Sequence, residues 1–337
     1  MISIPSFAKI NLGLKIGARR PDGFHELRTV YQTLALHDVI RVDVGPGSGI
    51  EIRCDDPRVP LDQTNTCYKV AERVVKSAGA GGKVVIELEK QLPVQGGLGA
   101  ASSNAVMTML AMERALAVEL SPAERQRIAS EVGSDLPLFL IGGTVLGLGR
   151  GERVHPLPDL PTLHLVVVTP PVGVSTPKAF SRWDELGPVS EEGGEDHQLT
   201  GLRFPRTINK PSKSVLDRLG EEIQQAEKEL ASGVPADGGD RAETLLLDLV
   251  RTGIENDFER VVFPEYPELR EVKELLQSEG AQFASLSGSG STLYGVFASA
   301  DDASAAAERM RAAGHAAVAT TSLTREAYWR AVGTAPP

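Results

Sequence analysis

Two side chains in this sequence suit phosphoryl or proton chemistry, and they stand far apart along the chain. Lys9 lies in Phe7-Ala8-Lys9-Ile10-Asn11-Leu12, where polar or small residues alternate with apolar ones from Lys9 onward. That alternation reads as a half-buried strand. A lysine there either sits on the wet face of a sheet or presents a cation to a phosphoryl group in transfer. Asp135 lies in Gly133-Ser134-Asp135-Leu136-Pro137. An aspartate before a proline-started turn either caps a helix or accepts or orients a hydroxyl proton. Spacing alone does not bring the two together.

Residues 93–104 read Pro93-Val94-Gln95-Gly96-Gly97-Leu98-Gly99-Ala100-Ala101-Ser102-Ser103-Asn104. Three glycines and two alanines leave room for a close approach to the backbone. The Ala/Met-rich stretch that follows predicts a helix, whose first turn offers unpaired N–H groups and a positive dipole end. Ser102, Ser103 and Asn104 add side-chain donors and acceptors. The segment is therefore either a helix-capping turn or a triphosphate cradle. It lacks the Gly-Lys-Ser/Thr ending of a Walker loop and the G-x-G-x-x-G spacing of a dinucleotide fold. The His-Arg-Asp and Asp-Phe-Gly elements of protein kinases are missing too.

Phe24 and His25 follow the turn chemistry of Asp22-Gly23. An aromatic at a loop tip either stacks on a base or folds back onto the core. Ser287-Gly288-Ser289-Gly290-Ser291 is either a flexible turn between strands or a second glycine-rich wall of a site.

The elements needed to position these groups can be read from hydrophobic period and punctuation. Strands are expected over 7–16, 39–44, 50–54 and 83–88, with a helix over 65–78 ending at Gly79. A long helix over 102–118 follows the glycine loop, and Ser121-Pro122 starts another that stops near Gly133. A strand after Gly142-Gly143 closes a first α+β unit near Glu152, so residues 1–152 form one expected domain. Residues 153–337 form the second, with strands over 163–169, 283–286, 292–297 and 316–321, two helices flanking Pro264 and one over 301–313. Without its insertion the second unit suits a split βαβ sheet. The insertion, at about 187–242, is acidic and loop-like, with one amphipathic helix carrying Leu216, Leu219, Ile223 and Leu230. It reads either as a solvated excursion or as a flap near the site.

Composition narrows the class. The chain has 337 residues and a formal net charge of −10, which argues against sequence-independent nucleic-acid binding. A nucleotide ligand remains compatible, because backbone N–H groups hold phosphates without adding net charge. Cys54 and Cys67 form no metal spacing, and no signal peptide or membrane span is read, so a soluble protein of the reducing cytoplasm is expected.

Taken in order, these segments resemble the GHMP kinase superfamily, whose three signatures fall on the early strand, on 93–104 and on 286–294. Within it, the chain is similar to the family of 4-diphosphocytidyl-2-C-methyl-D-erythritol kinases. That resemblance rests on residues 8–12, on Arg19-Arg20-Pro21-Asp22-Gly23-Phe24-His25-Glu26-Leu27 and on residues 133–139. It continues in Gly142-Gly143-Thr144, Gly149-Arg150-Gly151-Glu152 and Asn256-Asp257-Phe258-Glu259.

The resemblance implies an α+β, two-domain GHMP kinase fold: a ribosomal-S5-domain-2-like unit followed by a ferredoxin-like unit. It implies ATP and Mg²⁺ as co-substrate and ion, and transfer of the γ-phosphoryl group to a tertiary alcohol in non-mevalonate isoprenoid synthesis. Lys9 and Asp135 fall on the catalytic pair, and residues 93–104 with Asn65 on the ATP site, Asn65 and Asn104 toward adenine or ribose. Phe24, His25, Thr176 and Phe180 fall on the cytidine end, Asn11 on the methylerythritol end, and Gly288, Ser289 and Gly290 on the second wall. No dedicated protein site for a metal is expected. The chain departs from the family in three ways. Phe24 stands where tyrosine is usual, Gln95, Ala100 and Ala101 make the loop less glycine-rich, and the insertion lengthens the chain.

Overall fold

A computed structural model describes residues 1–94, 96–187, 214–231, 244–245 and 255–333, without the side chains of 226–231. The expected first strand is longer and more deeply buried than its alternation suggests. β1 (Ile2–Arg19) runs antiparallel to β2 (His25–Gly45), and both faces of its central stretch are covered. β2 is long enough to serve two further neighbours on its other edge. Its residues 39–45 pair with β4 (Gly82–Glu89), and residues 27–32 pair with β5 (Thr144–Gly149). β3 (Ser48–Cys54) and β6 (Arg153–Pro156) complete a six-stranded sheet.

The glycine turn after β2 does not make a hairpin with β3. β3 pairs in parallel with β4, and α1 (Thr66–Ala78) is the crossover between them. α2 (Ala100–Leu116), α3 (Pro122–Val132) and a 3₁₀ turn (Pro137–Leu140) join α1 over one face of the sheet.

The second sheet holds β7 (His164–Val168), β8 (Phe283–Leu286), β9 (Leu293–Phe297) and β10 (Ala317–Thr321), in the order β10-β7-β9-β8 and antiparallel throughout. That order is the split βαβ arrangement. Alternation divides its strands between two cores. Leu165, Val167, Tyr294 and Val296 face Ala8, Ile10, Leu12 and Val30 of the first sheet. Val166, Val168, Leu293 and Phe297 face α6 (Glu259–Glu265), α7 (Pro267–Ser278) and α8 (Ala300–Ala312), which are numbered after α4 (Thr176–Leu186) and α5 (Val215–Ala231).

Three features were not expected. Pro264 lies inside α6 rather than between helices. β6 extends the first sheet to Pro156, so we propose residues 157–163 as the passage between domains. A final helix, α9 (Arg325–Val332), returns to the first unit, where Tyr328 donates to Phe139 O and Trp329 to Ile141 O, each at 2.7 Å.

The insertion is only partly described, but α5 is no solvated excursion. Leu216 and Leu219 enter the core between the sheets, and Asp217 pairs with Lys15 of β1 and Arg28 of β2. Residues 188–213 and 232–242 and the side chain of Leu230 lie outside those described.

Candidate active site

β1 brings Lys9 and Asn11 to the site because its pairing with β2 shifts register on both sides of them, between Phe7 and Lys9 and between Asn11 and Gly13. Such irregularities re-aim side chains beside functional clefts. The free edge of β1 is then covered by loops. Lys9 N–H donates to Leu98 O at 2.9 Å, and Leu14 exchanges backbone bonds with Glu255 and Asp257.

Lys9 is not on a wet face. Its ammonium donates to Asn11 Oδ1 at 2.8 Å, Asn11 donates to Thr29 Oγ1 at 2.7 Å, and Thr29 donates to Gly13 O at 2.7 Å. The ammonium also lies 3.5 Å from Asp135 Oδ2, with side-chain exposures of 4% for the lysine and 35% for the aspartate. Tyr31 donates to the other carboxylate oxygen, Asp135 Oδ1, at 3.2 Å. Burial, and then the charge of Asp135, push the Tyr31 hydroxyl well above the usual tyrosine range, so it remains a donor. Asp135 precedes Pro137, but its carboxylate faces the ammonium rather than capping the 3₁₀ turn.

The loop is shaped by close approach. Gly97 and Gly99 have φ of 84° and 69°, in the region that favours glycine. A Cβ on Gly97 would lie 2.3 Å from Ser287 O, and one on Gly99 would lie 2.9 Å from Lys9 Cγ. The 287–291 turn is thus a wall of the loop. Ser287 Oγ donates to Gly97 O at 3.0 Å, and Thr292 N–H donates to Gly96 O at 3.1 Å. Asn256 ties that wall down by donating to Leu286 O and Gly288 O, each at 2.8 Å. α2 starts at Ala100 with no side-chain cap.

One cleft of about 1070 Å³ collects most of the expected residues. Lys9, Asn11, Phe24, His25, Asn65, Asp135, Thr176, Phe180, Gly288 and Ser289 line it, as do Pro93, Val94, residues 96–102 and Asn104. Gln95 lies outside the described residues. Gly290 stands behind the loop, where an added Cβ would fall 2.7 Å from Gly97 N.

Ser103 differs from expectation. It is fully buried, its hydroxyl accepts from Ser6 Oγ at 2.8 Å, and its N–H donates to Gly99 O, because the helical period turns it toward the sheet. Asn65 caps α1, with Oδ1 accepting from Cys67 N–H at 2.9 Å and Nδ2 donating to Pro60 O at 2.6 Å. Asn104 donates to the fully buried Asp38 at 3.0 Å, and Asp38 also pairs with Lys90 and accepts from Gln91 N–H and Leu92 N–H. Asn104 Oδ1 is buried and has no hydrogen-bond partner among the described residues.

At the other end, Phe24 and His25 part company. Phe24 is 52% exposed on the rim, with the Arg150 guanidinium 4.9 Å from its ring centre. His25 folds inward, stacks on Phe180 at 5.3 Å and 10°, and places Nε2 2.9 Å from Asp184 Oδ1. Thr176 and Ser289 share a hydrogen bond of 2.6 Å across the cleft wall.

Tyr31, Thr29, Asp38 and Asp184 were not singled out by sequence, and Arg150 entered only as part of a motif with no role assigned. Tyr31 and Thr29 had a signal once strand pairing is known, since Asn11 stands opposite Tyr31 and the two residues alternate onto one face.

Residues 65–143 match the GHMP kinases N terminal domain, and residues 242–316 match GHMP kinases C terminal. A 4-diphosphocytidyl-2-C-methyl-D-erythritol kinase from Acaryochloris marina is 33% identical over 307 residues, covering 91% of this chain and 90% of that protein. The chain belongs to the 4-diphosphocytidyl-2-C-methyl-D-erythritol kinase family. A second member of that family, from Moorella thermoacetica, is 33% identical over 92% of this chain and 95% of its own length. A crystal structure of a 4-(cytidine 5'-diphospho)-2C-methyl-D-erythritol kinase superposes with a TM-score of 0.69 at 28% identity, covering 95% of this chain and 99% of that one. A homoserine kinase from Cytophaga hutchinsonii shares the fold, with a TM-score of 0.60 at 20% identity over 96% of this chain and 95% of its own. Among the described residues, no helix is long and apolar enough to cross a membrane.

Proposed function

We propose that this member of the 4-diphosphocytidyl-2-C-methyl-D-erythritol kinase family transfers the γ-phosphoryl group of ATP to the 2-hydroxyl of that substrate, a step in non-mevalonate isoprenoid precursor synthesis. The observation that carries the reading is the Lys9–Asp135 pair. It stands between the glycine loop and the Phe24, His25 and Phe180 wall of a single cleft.

The residues fit a nucleotide. The glycine loop lines the cleft, the first turn of α2 lacks a side-chain cap among the described residues, and Asn104 leaves one buried acceptor for a donor on the nucleoside. Mg²⁺ would arrive on the phosphate oxygens and neutralise their charge during transfer. Asp135 accepts or orients the proton of the attacking hydroxyl. Lys9 holds the carboxylate and stabilises charge developing in the transition state. A tertiary alcohol is a hindered nucleophile, so most of the rate must come from positioning. The chain Lys9, Asn11, Thr29, Gly13 supplies that rigidity from the sheet.

The stacked His25 and Phe180 favour a nucleobase over a small alcohol such as homoserine or mevalonate. Both cysteines are unbridged, which suits the reducing cytoplasm we propose as its compartment. ADP release measured with each of the three alcohols tests the reading: it predicts turnover with the cytidyl substrate, and activity confined to homoserine or mevalonate overturns it.

A further inference from the structure

The substrate just proposed is linear: cytosine, ribose, diphosphate, branched polyol. Its cytosine belongs near Phe24 and Phe180 and its hydroxyl near Asp135, so a diphosphate must cross the space between them. The two negative charges of this doubly esterified diphosphate need a cation on leaving water there. Five cations line the cleft among the described residues: Lys9, Arg19, Arg58, Lys90 and Arg150.

Four of them are placed for other work. Lys9 faces Asp135. Lys90 is held by Asp38, and Arg58 is clamped by both carboxylate oxygens of Asp56 at 2.9 and 2.6 Å. Arg19 reaches out from the end of β1 toward Asp184, 3.9 Å away, with a side chain 65% exposed.

Arg150 lines the cleft at the cytidine end of the required path, and its neighbour Gly151 stands at the other. The Arg150 guanidinium carbon stands 4.9 Å from the Phe24 ring centre. The next residue, Gly151, has φ of 96°, and a Cβ there would lie 2.4 Å from the Tyr31 hydroxyl and 4.0 Å from Asp135 Oδ1. The β5–β6 turn therefore packs its backbone at Gly151 close to the catalytic carboxylate and carries the Arg150 guanidinium to the rim aromatic. Glu152 accepts from the Arg150 backbone N–H at 2.5 Å and approaches the guanidinium at Nε, at 3.5 Å. The remaining guanidinium donors form a fork suited to phosphate oxygens.

We propose that Arg150 is a substrate-binding residue that takes the diphosphate of the cytidyl substrate and, through its stack, holds Phe24 against the base. The proposal rests on the cytidine reading above. It makes Arg150 a specificity determinant, since an uncharged alcohol gains nothing from it.

Calorimetric titration of the full chain with cytidine, CMP and CDP tests this, comparing wild type with Arg150→Met and Arg150→Lys. Wild type should bind CDP more tightly than cytidine. Arg150→Met should cost CDP about tenfold to a hundredfold in affinity, the range of a lost charged hydrogen bond, while cytidine loses far less. Arg150→Lys should fall between the two. Equal losses for cytidine and CDP would reduce Arg150 to a support for Phe24 and overturn the diphosphate role. An unchanged CDP affinity in Arg150→Met would overturn it as well. A wild type that binds neither ligand overturns the cytidine reading itself, and this proposal with it.

Discussion

Tyr31 donates its hydroxyl to Asp135 at 3.2 Å, on the carboxylate oxygen that Lys9 does not face. Each oxygen of the carboxylate thus has its own partner, one from each of two paired strands. Tyr31 is almost fully buried, so its donor is fixed in place. Removing it by Tyr31→Phe keeps the ring and its packing. A hydrogen bond to a charged group contributes about 1.5–3 kcal/mol. We expect kcat to fall at least about tenfold, with the KM for ATP and the melting temperature little changed. Steady-state kinetics with both substrates checks this, and an unaltered kcat would remove Tyr31 from the mechanism.

The loop makes a second prediction. Gly97→Ala would place a methyl 2.3 Å from Ser287 O at a φ of 84°. The loop or its wall must move, and strain of this kind costs about 1–3 kcal/mol. ATP affinity should drop about tenfold or more. Gly81→Ala serves as the control, because an added Cβ there meets nothing within 4 Å. Equilibrium binding of a non-hydrolysable ATP analogue separates the two variants.

Much of this site was legible because its chemistry is local. Gly97 and Gly99 advertise a close approach, and Ser121 advertises the helix start it caps, whereas the capping role of Asn65 was not read. What was not legible depends on pairings between distant segments. Nothing in the local sequence says that β3 pairs with β4 rather than β2, nor that Asp38 gathers Lys90 and Asn104. Ser103 was misread because Ser102, Ser103 and Asn104 look alike as polar residues, while the helical period sends them to different faces. α9 was missed for a related reason. It is only eight residues long, and its partners Phe139 and Ile141 lie more than half the chain away.

The third prediction concerns α5. Lys15 and Arg28 stand directly opposite each other across the β1–β2 ladder, an unfavourable pairing of like charges. Asp217 sits between them. Burial raises its carboxyl, but the bonds from Lys15 and Ser214 and the two basic charges outweigh burial and leave it below the usual range. A depressed carboxylate contributes stability above its unfolded value, and that contribution fades as pH falls through the folded value. Both basic side chains are a third or more exposed, at 39% and 34%, so the effect is modest. Asp217→Asn should cost about 1–2 kcal/mol at neutral pH. The gap to wild type should shrink below about pH 4. Urea unfolding at several pH values reads it, and a gap that widens on acidification would contradict the assignment.

A fourth prediction follows from the cysteines. Burial pushes the Cys67 thiol up to about 12, while Cys54 is only half-buried. A thiolate-seeking disulfide reagent at neutral pH should therefore label Cys54 in the folded protein and reach Cys67 only after unfolding. Equal labelling rates in the native state would mean that the first turn of α1 opens readily.

The proposed function turns on which oxygen receives the phosphoryl group. Phosphorus NMR of a reaction containing ATP, Mg²⁺ and 4-diphosphocytidyl-2-C-methyl-D-erythritol reads that directly. A new phosphomonoester signal on the tertiary 2-hydroxyl is expected, formed together with ADP and lost in Asp135→Asn. A phosphate on another hydroxyl, or ADP formed with no new monoester, would contradict it.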